Sequence, residues 1–271
     1  MLTPQRRCAV VGRPVVHSLS PVMHRAAYGV LGLPWTYDAI ELADGELAVF
    51  ADGLDDAWRG LSVTMPFKRE AAAFADHRTD DVVFLGVANT LVREEDGWYA
   101  SNTDVPGAVL ALREAGVERV ETVRMLGAGA TAASLVLAAS RLGARSVELL
   151  VRDPARASEV AAVARELALE VEIVEVTASP DTAVDLLVNT IPAAAVRGRE
   201  HALVGAATGV FEAIYDPWPT PLLSAAQEEG LATATGLDLL AHQAVLQLLA
   251  MTGEAVAPDV LREAALDALG A

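Results

Sequence analysis

The stretch that decides the fold is Met125-Leu126-Gly127-Ala128-Gly129-Ala130-Thr131-Ala132. It closes an apolar segment expected as a strand and opens an alanine-rich run with strong helix propensity. The spacing is G-x-G-x-x-A. In such a turn the first glycine permits a tight bend, and the second lets the backbone approach a pyrophosphate. The small third residue lets helix and strand pack closely. The helix start then offers free N–H groups and a positive dipole end to phosphates. This makes Gly127, Ala128, Gly129, Ala130, Thr131 and Ala132 candidate cofactor contacts. A ligand-free strand-to-helix turn can carry the same letters, so the surroundings decide.

The next expected strand, Ser146–Val151, runs into Arg152-Asp153-Pro154-Ala155-Arg156. An acid at this place suits the ribose diol of NAD, and an arginine suits the 2′-phosphate of NADP. Arg152 and Arg156, four apart, can close on one phosphate. Asp153 argues for NAD unless it caps a helix that has Pro154 at its first position. The cap is the preferred reading, and with it NADP, NAD staying open.

Outward from this turn, short apolar runs alternate with helical patterns along the chain, the mark of an α/β fold with mostly parallel strands. Strands are expected over 7–11, 35–41 and 60–63, with helices over 21–31, 44–54 and 67–75. A hairpin over 89–93 and 98–101 follows, its Asp96-Gly97 suited to a tight turn. A helix is expected over 105–115. The later strands fall at 122–126, 146–151, 171–176, 183–188, 210–214 and 232–234, with an exposed crossover helix over 154–168. From Leu237 the pattern is helical, broken near Gly253 and Pro258, and this tail is placed to return to the first domain.

At 271 residues, 53% of them hydrophobic, the chain exceeds the usual single-domain size of ~100–150 residues and holds ample core. No apolar run reaches the ~18 residues that span a bilayer. The start lacks a signal-type apolar core and cleavage pattern, so a cytoplasmic setting is expected. The single cysteine, Cys8, lies in an apolar strand and reads as a packed hydrophobe. A net charge of −17 disfavours nucleic acid and anionic membranes as partners. It leaves room for an anionic small molecule held by local donors.

Polar residues gather where α/β folds place their sites, after the strands. Ser18 and Ser20 lie two apart, able to share one carboxylate, although Ser20 also suits a helix cap before Pro21. Lys68 stands in the first turn of a helix, where the dipole disfavours an ammonium, a property useful for proton transfer. Taken alone it reads as a solvated surface lysine. Asn89 and Asp104 bracket the hairpin, either as polyol ligands or as turn residues.

Together these segments resemble the shikimate dehydrogenase family (shikimate/quinate dehydrogenases). The matching motifs run in order over nearly the whole chain. They are His17-Ser18-Leu19-Ser20-Pro21-Val22-Met23-His24, Ser62-Val63-Thr64-Met65-Pro66-Phe67-Lys68, Gly86-Val87-Ala88-Asn89-Thr90 and Asn102-Thr103-Asp104-Val105-Pro106-Gly107. The glycine loop, Asn189-Thr190-Ile191-Pro192, Tyr215-Asp216-Pro217, Thr220-Pro221-Leu222-Leu223 and the stretch 236–243 follow. The resemblance implies a substrate-binding α/β domain over 1–104, onto which 237–271 pack, and an NADP-binding Rossmann domain over 105–236. It implies reversible NADPH-dependent reduction of 3-dehydroshikimate to shikimate, in aromatic amino acid biosynthesis, with Lys68 and Asp104 as the catalytic pair. Ser18 and Ser20 would hold the substrate carboxylate. Thr64, Asn89, Asp104 and Gln243 would bind ring hydroxyls, and Tyr215 would line the cleft. Asn189 and Gly236 join the cofactor contacts. No metal is implied, and the oligomeric state, a homodimer included, stays open.

Three departures stand out. Ser62 occupies a place where the family usually has asparagine, a shorter polar contact for a ring hydroxyl. Asp238 replaces a common glycine. Val151-Arg152-Asp153 replaces an Asn-Arg-Thr clamp. They keep open an NAD-dependent quinate/shikimate dehydrogenase, an enzyme of a related ring such as an aminoshikimate, and a non-catalytic shikimate-binding regulator. His24 reads as structural, and His17, His77, His201 and His242 receive no chemistry.

Overall fold

The computed structural model describes residues 5–177 and 182–271, which fall into two compact units, Met1–Asp104 with Leu240–Ala271, and Val105–Leu239. In the first unit β1 (Arg7–Gly12) lies between two parallel neighbours, β2 (Thr36–Glu41) and β3 (Trp58–Val63). All of β1 past Arg7 is buried, as its unbroken apolar run requires of a central parallel strand. The sheet turns antiparallel from β3 to β5 (Thr90–Glu94) and on to β6 (Gly97–Ser101), and the two-residue β4 (His77–Arg78) forms the far edge. The order is β2-β1-β3-β5-β6-β4. The hairpin turns on Glu95-Asp96 rather than on Asp96-Gly97, because Gly97 still pairs with Glu94.

Helices α1 (Ser20–Leu31), α2 (Leu47–Asp52), α3 (Lys68–Phe74) and α4 (Asp80–Leu85) belong to this unit. Most of α10 (Gly236–Thr252) and all of α11 (Pro258–Leu269) join them, with α11 packed on α1. Leu47, Leu61, Phe67 and Leu91 anchor one side of the sheet. Truncating a side chain as enclosed as Leu61 costs about 2–5 kcal/mol. The Cys8 thiol is wholly buried, and burial pushes its pKa up to about 11.

In the second unit β7 (Thr122–Leu126), β8 (Ser146–Val151), β9 (Glu170–Glu175), β10 (Val184–Asn189), β11 (Ala207–Glu212) and β12 (Ala232–Thr235) pair in parallel throughout. Their order is β12-β11-β10-β7-β8-β9. Sequence order reverses between β7 and β10, and doubly wound folds take ligands at the carboxyl ends of such a pair. Helices α5 (Asp104–Glu114), α6 (Ala130–Arg141), α7 (Ser158–Glu166), α8 (Glu200–Val204) and α9 (Pro221–Glu228) make the connections.

The helix expected over 154–168 divides into a 3-10 turn, Pro154–Ala157, and α7. It is the crossover between parallel β8 and β9, exposed on its outer side and buried on one face at Val160, Ala161 and Ala164. Among the described residues β4, α4, α8 and α9 were not expected, most of them too short to show a period. The signal for α9 was present, because Thr220 caps it through the Leu223 N–H at 3.1 Å with Pro221 in its first turn. No helix among the described residues is long and apolar enough to cross a membrane.

Candidate active site

Lys68 and Asp104 each sit at the first residue of a helix, α3 and α5. Lys68 Nζ donates to Asp104 Oδ2 at 2.5 Å, with the two side chains only 12% and 8% exposed. The reading of Lys68 as a solvated surface lysine therefore fails. Its charge, misplaced for the dipole of α3, is met by a carboxylate that suits the start of α5. Asp104 Oδ1 accepts from Asn89 Nδ2 at 2.8 Å, and the Asp104 N–H donates to Asn102 Oδ1.

Asn89 is the hub of this unit's polar centre. Its Oδ1 accepts from the Thr103 N–H at 2.8 Å and from the Thr90 hydroxyl at 2.8 Å. Its Nδ2 donates to Asp104 and to Thr103 Oγ1 at 2.9 Å, with Gln243 Oε1 at 3.4 Å. Gln243 and Gln247 are four apart on α10, so they share one face. Gln247 Nε2 donates to the Asn89 carbonyl at 3.1 Å and to Thr90 Oγ1 at 3.0 Å. Sequence reading named Gln243 and passed over Gln247, whose sign was a second amide one turn along an otherwise apolar helix.

Ser18 Oγ accepts from the Ser20 N–H at 3.3 Å, which leaves the Ser18 proton free to donate. Ser20 is no cap. It is the first residue of α1, buried, with its hydroxyl bonded to Tyr37. Thr64 is half-buried at the end of β3. Ser62 does not offer its hydroxyl to a ligand, because Tyr37 donates to it at 2.5 Å and it donates to Gln247 Oε1 at 2.7 Å. His24 is structural: it stacks on Tyr37 with centroids 4.1 Å apart, and burial lowers its pKa to about 4, so it is neutral.

The second unit holds the glycine loop, at the mouth of a groove of about 830 Å³. Gly127, Ala128 and Gly129 line one wall, Arg152, Asp153 and Arg156 another, and Ile191 and Pro192 a third. The two glycines have different reasons. Gly127 has φ +103°, and a Cβ there would lie 2.4 Å from Thr190 Oγ1, so the fold itself demands glycine. Gly129 has nothing within 4 Å of an added Cβ. Neither packing nor backbone angle at 129 demands glycine, its φ being −89°. Thr131 lies in the first turn of α6 behind Ala130, and Ala132 is buried, as close helix–strand packing requires.

Asp153 Oδ1 accepts from the Ala155 N–H at 3.0 Å, so it caps the 3-10 turn while Arg152 and Arg156 stand exposed. Asn189 departs from its expected role as a cofactor contact. Its side chain is fully buried, with Nδ2 donating to Glu212 Oε1 and Oε2 at 2.9 and 3.1 Å and Oδ1 accepting from the Ile191 N–H. Gly236 has a packing reason of its own, since a Cβ would lie 2.5 Å from the Ala213 carbonyl. Tyr215 is half-buried beside it, and burial raises its phenol pKa. Asp238 is also explained. Its Oδ2 accepts from the Thr235 N–H at 2.9 Å and hydroxyl at 2.6 Å, and its own N–H donates back to Thr235 Oγ1, a capping box that starts α10.

Residues 10–91 match a family model described as the shikimate dehydrogenase substrate binding domain. Over 97% of its length the chain is 32% identical to 97% of a protein from Geobacter metallireducens named shikimate dehydrogenase (NADP(+)). The chain belongs to the shikimate dehydrogenase family. A crystal structure of the shikimate dehydrogenase of Mycobacterium tuberculosis, 36% identical, superposes with a TM-score of 0.85 over 97% of this chain and 99% of that one. The Thermus thermophilus shikimate dehydrogenase in complex with NADP(H) and shikimate, 31% identical, gives 0.82 over 97% and 100%.

Proposed function

We propose that the chain catalyses the reversible reduction of 3-dehydroshikimate to shikimate with NADPH, Lys68 and Asp104 being the reacting pair. The observation that carries this reading is the buried Lys68–Asp104 contact at 2.5 Å, beside the amides of Asn89 and Gln243. The Ser18 hydroxyl holds the substrate carboxylate, and Ser20 joins it once its own hydroxyl turns from Tyr37. Thr64, Asn89, Asp104 and Gln243 take the ring hydroxyls. Gly127, Gly129 and the start of α6 fit the pyrophosphate of a dinucleotide, Arg152 and Arg156 fit its 2′-phosphate, and Gly236, directly after β12, joins the cofactor contacts. Bound NADPH supplies the hydride.

The chain's own part is proton management. As negative charge grows on the ketone oxygen, the Lys68 ammonium stabilises it and gives it a proton, and in the reverse direction the amine recovers that proton. Asp104 keeps Lys68 aimed and binds the neighbouring hydroxyl. General acid catalysis of this kind is worth about 10²–10⁴ in rate.

Rates with shikimate and quinate, each with NADP and NAD, test the reading. Shikimate with NADP is expected to be fastest. Fastest turnover of quinate with NAD, or binding of shikimate without turnover, overturns it. The expected setting is the cytoplasm, and light scattering of the purified chain decides between monomer and homodimer.

A further inference from the structure

A chain of hydrogen bonds runs behind the catalytic pair through Tyr37, Ser62, Gln247 and Thr90, to which the proposed reaction gives no role, and ends on Asn89 and Asp104. It starts at Tyr37, a buried phenol stacked on neutral His24. Tyr37 donates to Ser62 Oγ at 2.5 Å. The Ser62 proton is thereby directed to Gln247 Oε1 at 2.7 Å. With its oxygen so occupied, Gln247 turns Nε2 to the other side, where it donates to Thr90 Oγ1 and to the Asn89 carbonyl. Because Thr90 receives that donor, its own proton points at Asn89 Oδ1, 2.8 Å away. Asn89 Oδ1, held also by the Thr103 N–H, leaves Nδ2 facing Asp104 Oδ1.

We infer that Gln247 is a positioning residue for the catalytic pair, its orientation set by the Asn89 carbonyl, which can only accept, supported by the buried Ser62 hydroxyl, and transmitted through Thr90 to Asn89 and Asp104. The Asn89 carbonyl only accepts and the Thr103 N–H only donates, so these two backbone groups fix the amides of Gln247 and Asn89, and the hydroxyls between them follow. Were the Gln247 amide reversed, its oxygen would draw the Thr90 proton away, and Asn89 Oδ1 would lose a donor. Gln247 bonds to His24, Ser62, Thr90 and the Asn89 carbonyl, so its influence on Lys68 and Asp104 runs through other groups. All the named groups are buried, which makes a misdirected donor expensive and the favoured arrangement sharply preferred.

This inference rests on the proposed reaction, and one series of assays separates the two. Gln247→Met keeps the side chain's length and removes both ends of its amide. Misplacing a catalytic group slightly lowers turnover more than substrate affinity, so kcat for shikimate oxidation is expected to fall about 10- to 100-fold. KM for shikimate should stay within about threefold of wild type. Thr90→Val cuts the same chain one link on. If Gln247 acts through Thr90, the double variant has the kcat of Thr90→Val alone. Ser62→Ala, which leaves Gln247 in place, should lower kcat in the same direction, and it keeps the question answerable if Gln247→Met does not fold. Unchanged kcat in both Gln247→Met and Ser62→Ala, or kcat losses that multiply in the double variant, overturns the inference. A wild type inactive on shikimate with NADP sinks the proposed reaction itself, whereas an active wild type equalled by its variants sinks only the positioning role.

Discussion

Glu212 ends β11 as a wholly buried carboxylate ringed by donors: Asn189 Nδ2, the Ile214 N–H at 2.9 Å and the Thr220 hydroxyl at 2.9 Å. Burial works against these donors and pushes its pKa up from 4.5 to about 7. Between those values the folded chain keeps a proton that the unfolded chain has released. Stability from this group is therefore fullest below pH 4.5 and falls as pH rises toward 7, then levels. Each pH unit inside the window costs about 1.4 kcal/mol. The isoelectric point of about 4.6 favours association near that pH, so work starts at about pH 5.5. From there to pH 8 the expected loss is about 2 kcal/mol. Glu212→Gln removes the titration and keeps the volume. Urea unfolding of both proteins at intervals from about pH 5.5 to 8 gives the difference in unfolding free energy, in which other titrating groups cancel. That difference should move by about 2 kcal/mol in favour of the glutamine variant as pH rises. Parallel curves would refute the assignment and show the donors winning over burial.

Lys68→Ala should lower kcat by about 10²–10⁴ while shikimate still binds by calorimetry, and retained turnover would remove Lys68 from the chemistry. Gly129→Ala should fold like wild type and raise KM for NADP, whereas Gly127→Ala, strained at positive φ and pressed on Thr190, should lower the melting temperature outright. The opposite pattern in melting curves and KM would show that the phosphate does not lie against 129. Asp153→Ala removes a cap worth about 1 kcal/mol and should leave the preference for NADP intact. A fall in kcat/KM with NAD that leaves kcat/KM with NADP unchanged would show that Asp153 reaches the ribose after all.

The glycine loop and the strand alternation were legible because each depends on local spacing, whereas the pairing of Lys68 with Asp104 came from the family resemblance alone, Lys68 by itself reading as a surface lysine. What escaped was settled by distant partners. Asn189 matched its motif, yet whether its amide faced a ligand depended on Glu212, which lies 23 residues on and which nothing in the local letters marks as buried. Ser62 looked like a shortened ligand contact until Tyr37 and Gln247, 25 and 185 residues away, claimed its hydroxyl. Asp238 looked like a defect, although Thr235 three residues earlier spelled a cap in the sequence itself. The helix over 154–168 was legible as a crossover, but its division into a 3-10 turn and α7 was not, because alanine-rich composition reports propensity and not where one helical form passes to another.

The solitary thiol at position 8 has a practical consequence. Enclosed in β1 and poorly ionised at neutral pH, it should ignore maleimides that label surface cysteines within minutes. A Val16→Cys substitution, at a position 76% exposed beside Ser18, would then carry a fluorophore alone, reporting ligand arrival without any prior removal of native cysteine.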